Sequence, residues 1–288
     1  MIQTCPFQLP PTSRPTQQPK EVANQETPLI LFCDKTMVGG AHMDRFRVLA
    51  IGTATLLCGL INTSVVANQQ DTEELRRAVE NSLREERSFR GLDISVVGTE
   101  VTLTGELRTF WEKNGALQRA FEVPGVKTVA SEIVVPRVED DQELANEVGE
   151  AIQRYSYYTM WDQIDGRVVN GVVRITGAVT PERDKIGELF ERIAKVRGVQ
   201  DVQMNVQVMS ASSQDRRIRS AIARRLFSSD HFERFRTMNN PPFHIIINNS
   251  IATLIGYVQR QIERLEMQRI VANTQGVLRV ENKLQTLR

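Results

Sequence analysis

Three short runs of alternating apolar and polar residues end in glycine: VTLTG at 101–105, VRITG at 173–177 and ATLIG at 252–256. Each is followed by a second glycine with valine next to it, at Gly125, Gly198 and Gly276. The glycine-to-glycine gaps (125 − 105, 198 − 177, 276 − 256) are 20, 21 and 20 residues. Spacing held this closely marks an internal repeat, and a repeat governs every later reading. Ahead of each run lies a charged stretch with apolar residues four apart. These are Leu75, Val79 and Leu83, then Leu144, Val148 and Ile152, then Ile218, Ile222 and Leu226. That spacing places one apolar stripe on a helix. Asp71-Thr72 and Ser213 are N-cap candidates for two of these helices.

Between stripe and glycine the period changes to two. LDISVV and EVTLTG flank Gly98-Thr99, IDGRVV and VVRITG flank Asn170-Gly171, and FHIIIN and IATLIG flank Asn249-Ser250. These patterns predict hairpins with two-residue turns. Second helices are predicted over 108–122, 181–195 and 259–273. Their inward residues include Leu117, Ala120 and Phe121; Leu189, Ile193 and Ala194; and Leu265, Ile270 and Val271. Gly125, Gly198 and Gly276 are expected to end those helices. Gly105, Gly177 and Gly256 are expected to end the second strand and turn the chain into the helix. A last alternating run, VASEIVV, VQMNVQV or VENKLQT, closes each unit. The order helix–strand–strand–helix–strand predicts an α+β fold of three tandem αββαβ domains. Each is a three-stranded mixed sheet covered by two helices, with a right-handed crossover to the parallel strand. The domains are set at 72–138, 139–212 and 213–288.

These features resemble the BON domain. Its pattern is an amphipathic helix, a hairpin of the form nG-VtLtG, a second helix, and GV-x-x-V-x-N-x-L-x-V. The chain carries GTEVTLTG, NGVVRITG and NSIATLIG, then GVKTVASEIVV, GVQDVQMNVQV and GVLRVENKLQT. The motif asparagine is Asn205 and Asn282, with Glu132 in its place in the first copy. The third copy departs by Ile255 before Gly256 and by the insertion SSDHFERFRTMNNPPF. The resemblance implies an exported, periplasmic or membrane-associated protein without catalytic residues. It also implies binding to phospholipid surfaces or envelope proteins, in support of envelope integrity or stress tolerance.

The N-terminal region fits export. Arg45 and Arg47 precede an apolar run of 14 residues at 48–61, and Val65, Val66 and Ala67 offer small residues before Asn68. Residues 43–67 are therefore read as a signal peptide, the run being short for a membrane span. An uncleaved anchor is the alternative. Residues 1–42 hold six of the eleven prolines. They read as a disordered extension, or as lying upstream of a true start at Met43. Cys5, Cys33 and Cys58 all precede residue 68. Removal of the signal leaves no cysteine, which excludes disulfides, thiol catalysis and cysteine-bound zinc.

At 288 residues, 41% hydrophobic and 25% charged, the composition is that of a globular protein. The net charge of +1 hides an uneven distribution. Residues 72–138 hold 10 basic and 11 acidic side chains, 139–213 hold 8 and 13, and 214–288 hold 13 and 6. Only the last, at +7, attracts an anionic surface. Beyond the signal only His231 and His244 remain, too few for a metal site. No cofactor and no enzymatic activity are expected, since no nucleophile, zinc or nucleotide motif is present. Glu139-Asp140-Asp141 reads as a solvated linker.

Two aromatic clusters remain. One is RYSYYTMW at 154–161. The other sets Phe227, Phe232, Phe235 and Phe243 among Arg224, Arg225, Arg234 and Arg236. Arginines beside aromatic rings suit a membrane interface. Arg224, Arg225, Phe227, Phe232, Arg234, Phe235 and Arg236 are therefore the candidate membrane or partner surface. The alternative is that these rings fill small cores or pack one unit on the next. Nucleic acid would suit a basic aromatic patch, but export argues against it. The expected partner is an anionic phospholipid surface or an envelope protein. The rival is an assembly adaptor that binds proteins alone.

Overall fold

The structure, a computed structural model, describes residues 62–287. The extension at 1–42 and positions 43–61 of the expected signal peptide lie outside the described residues. Unit one comprises α1 (Asn62–Arg84), β1 (Asp93–Val97), β2 (Glu100–Glu106), α2 (Phe110–Phe121) and β3 (Thr128–Val134). Unit two comprises α3 (Asp141–Gln153), β4 (Gln163–Val169), β5 (Val172–Val179), α4 (Lys185–Ala194) and β6 (Asp201–Val208). Unit three comprises α5 (Ser213–Leu226), β7 (Phe243–Asn248), β8 (Ile251–Val258), α6 (Gln261–Ala272) and β9 (Arg279–Thr286). In each unit the hairpin is antiparallel and the closing strand lies parallel beside the central one. The fold is α+β, with three three-stranded mixed sheets.

The burial pattern follows the alternation. On β2, Val101 and Leu103 are buried while Glu100 and Thr104 are exposed. Leu83 of α1 joins them in one core; Leu144 and Val148 of α3 and Ile218 and Ile222 of α5 join the other two. Two expected inward residues point out instead: Phe121 is 59% exposed and Leu265 52%. Phe121 lies on the rim of its helix, whereas Leu265 falls on the face opposite the buried Glu263, Met267, Ile270 and Val271.

The two-residue turns form as expected. Asn170 and Gly171 have φ of 53° and 77°, and Asn249 and Ser250 have 51° and 63°. Positive φ at both positions is the type I′ geometry that matches strand twist. A carboxylate from the preceding helix holds each of these turns. Asp141 accepts from the N–H groups of Asn170 (2.6 Å) and Gly171 (2.9 Å). Asp215 accepts from those of Asn249 (2.9 Å) and Ser250 (2.8 Å). Asp140 caps α3 through the N–H groups of Gln142 and Glu143. Asp140 and Asp141 are thus structural devices, which corrects the solvated-linker reading for these two; Glu139 is exposed.

Three further expectations change. Asp71 and Thr72 lie within α1, which starts upstream of them, and α5 is capped by Ser212 rather than Ser213. Gly125, Gly198 and Gly276 do not end the second helices. The helices stop earlier, at the C-caps Glu122, Lys195 and Asn273. The glycines follow in the next turn with φ of 100°, 90° and 95°. Gly105, Gly177 and Gly256 sit within their strands, paired with Ile133, Val206 and Leu284. Their φ values of 145°, 136° and 104° demand glycine all the same.

Candidate membrane and partner surface

The structure separates the arginines of the candidate surface from its phenylalanines. Phe232 is 0% exposed, Phe235 is buried, and Phe227 packs on the same core. The Phe232 and Phe235 rings meet the Phe243 ring edge-on at 5.8 and 5.2 Å. The insertion therefore folds back over the unit and seals its core. It offers no row of rings to a bilayer, and that part of the expectation is corrected. A unit as small as 213–288 has little core of its own, so rings of the insertion are recruited inward.

Arg224, Arg225, Arg234 and Arg236 are all exposed, but three have work inside the fold. Arg234 pairs at 3.0 Å with the buried Glu263 and lies over the Phe235 ring. Burial opposes the Glu263 charge. The N–H groups of Gln259 and Arg260 and the Arg234 guanidinium outweigh it, and the carboxyl is held below its ordinary pKa. Arg236 donates to the Phe227 carbonyl at 2.8 Å. Arg225 donates to the Asn273 carbonyl. Beside it, an open cleft of about 450 Å³ is lined by Arg225, Arg269, Asp230 and Glu266, with no excess of either charge.

Arg224 differs. With Arg216 and Arg217 it occupies the outward half of α5, the three falling within about 100° of one another on the helix. Asp215, Ile218, Arg219, Ile222 and Leu226 take the opposite half and are buried. Among the described residues, the side chains of Arg216, Arg217 and Arg224 are exposed and enter no ion pair. Elsewhere in the unit the exposed cations are mostly spoken for. Arg269 pairs with Glu266, and Arg279 and Lys283 pair with Glu281. The stripe Ile218, Ile222, Leu226 was the signal that places Arg216 and Arg217 opposite it.

The tyrosine cluster is a joint. Tyr155 is buried in the core of unit two and donates to Glu188. The Tyr157 ring lies 3.6 Å from the Arg183 guanidinium. Met160 enters the core of unit three, and its carbonyl accepts the Ile245 N–H at 2.7 Å. Asp162 and Lys185 form a buried ion pair that anchors this loop. The Lys185 Nζ lies 2.9 and 2.7 Å from the two Asp162 oxygens and 2.7 Å from the Thr180 hydroxyl. Asp162 also accepts the N–H groups of Thr159 and Thr180. Units one and two meet through aromatics as well, the Phe190 ring standing 6.2 Å from both Phe110 and Trp111.

Among the described residues no group of three or more His, Cys, Asp or Glu could hold a metal ion. His231 meets Arg260 at the surface, and His244 lies in the joint. Among the described residues no helix is long and apolar enough to cross a membrane.

Residues 71–137 and 214–288 match the family model of the BON domain. Over these segments the chain belongs to the BON-domain family. The matched residues leave out unit two, which has the same element order and strand pairing as its neighbours. Two solved structures are similar to this BON-domain protein. One is the C-terminal domain of CdsD, the structural protein of the type III secretion system of Chlamydia trachomatis. It is 15% identical, covers 75% of this chain and 98% of its own, and has a TM-score of 0.21. A second CdsD structure is 15% identical, covers 74% and 92%, and has the same score of 0.21. At that score the likeness says nothing of a shared role. Among curated proteins none matches the chain.

Proposed function

We propose that this BON-domain protein is a non-enzymatic, exported envelope module that docks on an anionic phospholipid surface through the outward face of α5. The observation that carries the reading is the set Arg216, Arg217 and Arg224, exposed and unpaired on the unit with the largest excess of positive charge. The family resemblance and the basic n-region with its apolar run support export and an envelope setting. Each cation near an anionic leaflet contributes on the order of 1 kcal/mol. Three of them give about 3 kcal/mol, a weak and reversible attachment. The buried phenylalanines leave this face without apolar anchors, so docking is peripheral and salt-sensitive.

A second reading, an adaptor that binds proteins and no lipid, draws on the aromatic joints between units. Sedimentation with vesicles separates the two. The purified protein is expected to sediment with phosphatidylglycerol-containing vesicles at low salt and to stay behind with phosphatidylcholine alone. It is expected to release at about 1 M salt, where the Debye length falls to about 3 Å. Equal binding to both vesicles, or binding indifferent to salt, would contradict electrostatic docking. Binding to neither would leave the adaptor.

A further inference from the structure

His244 lies at the joint between units two and three. On β7, Phe243, Ile245 and Ile247 point into the core, so the His244 side chain leaves the sheet on its other face. There it meets the loop of unit two. Its ring stacks at 5.5 Å on that of Tyr158, tilted by 31°. The backbone groups of Thr159 and Asp162 lie within hydrogen-bonding reach of the ring. The next residue, Ile245, gives its N–H to the Met160 carbonyl. Arg219 of unit three pairs with Glu182 of unit two at 3.4 Å on the same joint.

The carboxylates of Asp162 and Asp165 favour a cation on the ring, but burial outweighs them. Both oxygens of Asp162 are already held by Lys185. Asp165 on β4 is exposed to solvent. Across the sheet, the same rung leads through Ile255 to Lys283, a like charge for a protonated ring. Among the described residues the buried Nδ1 has no hydrogen-bond partner. A second ring proton would put a charge into this buried joint, and the cost of burying it outweighs the pull of the neighbouring backbone groups and carboxylates.

We propose that His244 is an acid-sensitive latch whose protonation opens the joint between units two and three. The latch does not depend on the lipid reading. Burial pushes the His244 pKa below its ordinary value of 6.5. The open form therefore takes up the proton first as the pH falls. The closed joint has its full stability above about pH 6.5 and loses it as the pH drops through the folded value. Each unit keeps its own sheet, and release breaks Tyr158–His244, Met160–Ile245 and Glu182–Arg219 and withdraws Met160 from the core of unit three. Opening frees the basic third unit from the acidic second one.

Small-angle scattering of the purified protein tests this at about pH 7.5 and about pH 5, the range in which histidine titrates. The wild type is expected to expand reversibly on acidification while its circular dichroism is kept. His244→Phe, an aromatic ring that takes no proton, is expected to abolish the expansion. His244→Gln serves in the same way if the phenylalanine variant fails to fold. An NMR titration of the His244 imidazole in the wild type should give a pKa below 6.5. Unchanged dimensions in the wild type at about pH 5 would overturn the latch. So would the same expansion in both His244 variants, or a His244 pKa at or above the ordinary value.

Discussion

Asp162→Ala is expected to destabilise the protein by about 3–5 kcal/mol, the cost of breaking a buried ion pair from one side. Asp162 is 0% exposed and Lys185 5%. Without the carboxylate, the Lys185 ammonium keeps only the Thr180 hydroxyl, and the N–H groups of Thr159 and Thr180 lose their acceptor. The double variant Asp162→Leu with Lys185→Met removes both charges and replaces them with apolar volume. It is expected to recover part of the loss, because the desolvation cost disappears with the charges while the N–H groups of Thr159 and Thr180 stay without an acceptor. Urea unfolding of the full chain measures both. A loss below about 1 kcal/mol for Asp162→Ala would show that the charge is not buried as described. Since this loop carries Met160 into unit three, the transition of that unit is expected to shift too.

Gly177→Ala is expected to cost about 3 kcal/mol or more, at the upper end of what local backbone strain costs. A Cβ at position 177 would stand 2.0 Å from the Gln163 carbonyl oxygen and 2.9 Å from its carbon. Both atoms are backbone of the partner strand, locked in register by the pair Ile164–Gly177, so no rotamer relieves the clash. The φ of 136° adds strain. Gly105→Ala makes a useful comparison. Its first obstacle is the Leu92 Cδ2 at 2.9 Å, the end of a flexible side chain, so it is expected to cost less. Gly256→Ala meets the Pro242 carbonyl oxygen at 2.4 Å and belongs with Gly177. Equal losses at 105 and 177 in denaturant unfolding would contradict this order.

The hairpins and the three-unit plan were legible because they rest on local rules. Alternation around Asn170-Gly171 and Asn249-Ser250 sets strand and turn together, and the glycine spacing repeats them. What escaped needs the chain to return on itself. Asp141 and Asp215 are acidic residues near helix starts until a turn about thirty residues later brings its N–H groups to them. The pair Asp162–Lys185 joins a loop to a helix across 23 residues. The phenylalanines of the insertion looked like a surface patch because burial there depends on the path of the loop and not on any period. On α5 the opposite holds. A helix wheel alone puts Arg216, Arg217 and Arg224 on the face away from Ile218 and Ile222, and the structure keeps them there.

The affinity for anionic vesicles of a variant carrying Arg216→Glu, Arg217→Glu and Arg224→Glu measures the docking face most directly. It should be read beside Arg77→Glu, Arg87→Glu and Arg90→Glu, which make the same charge change on exposed positions of unit one. Three lost attractions of about 1 kcal/mol each amount to about 100-fold, and the added repulsion works in the same direction. The α5 variant is expected to weaken binding at least that much, and the unit-one variant by less than about tenfold. Equal losses in the two variants would reduce the effect to net charge, and an unchanged affinity in the α5 variant would contradict the proposed face outright.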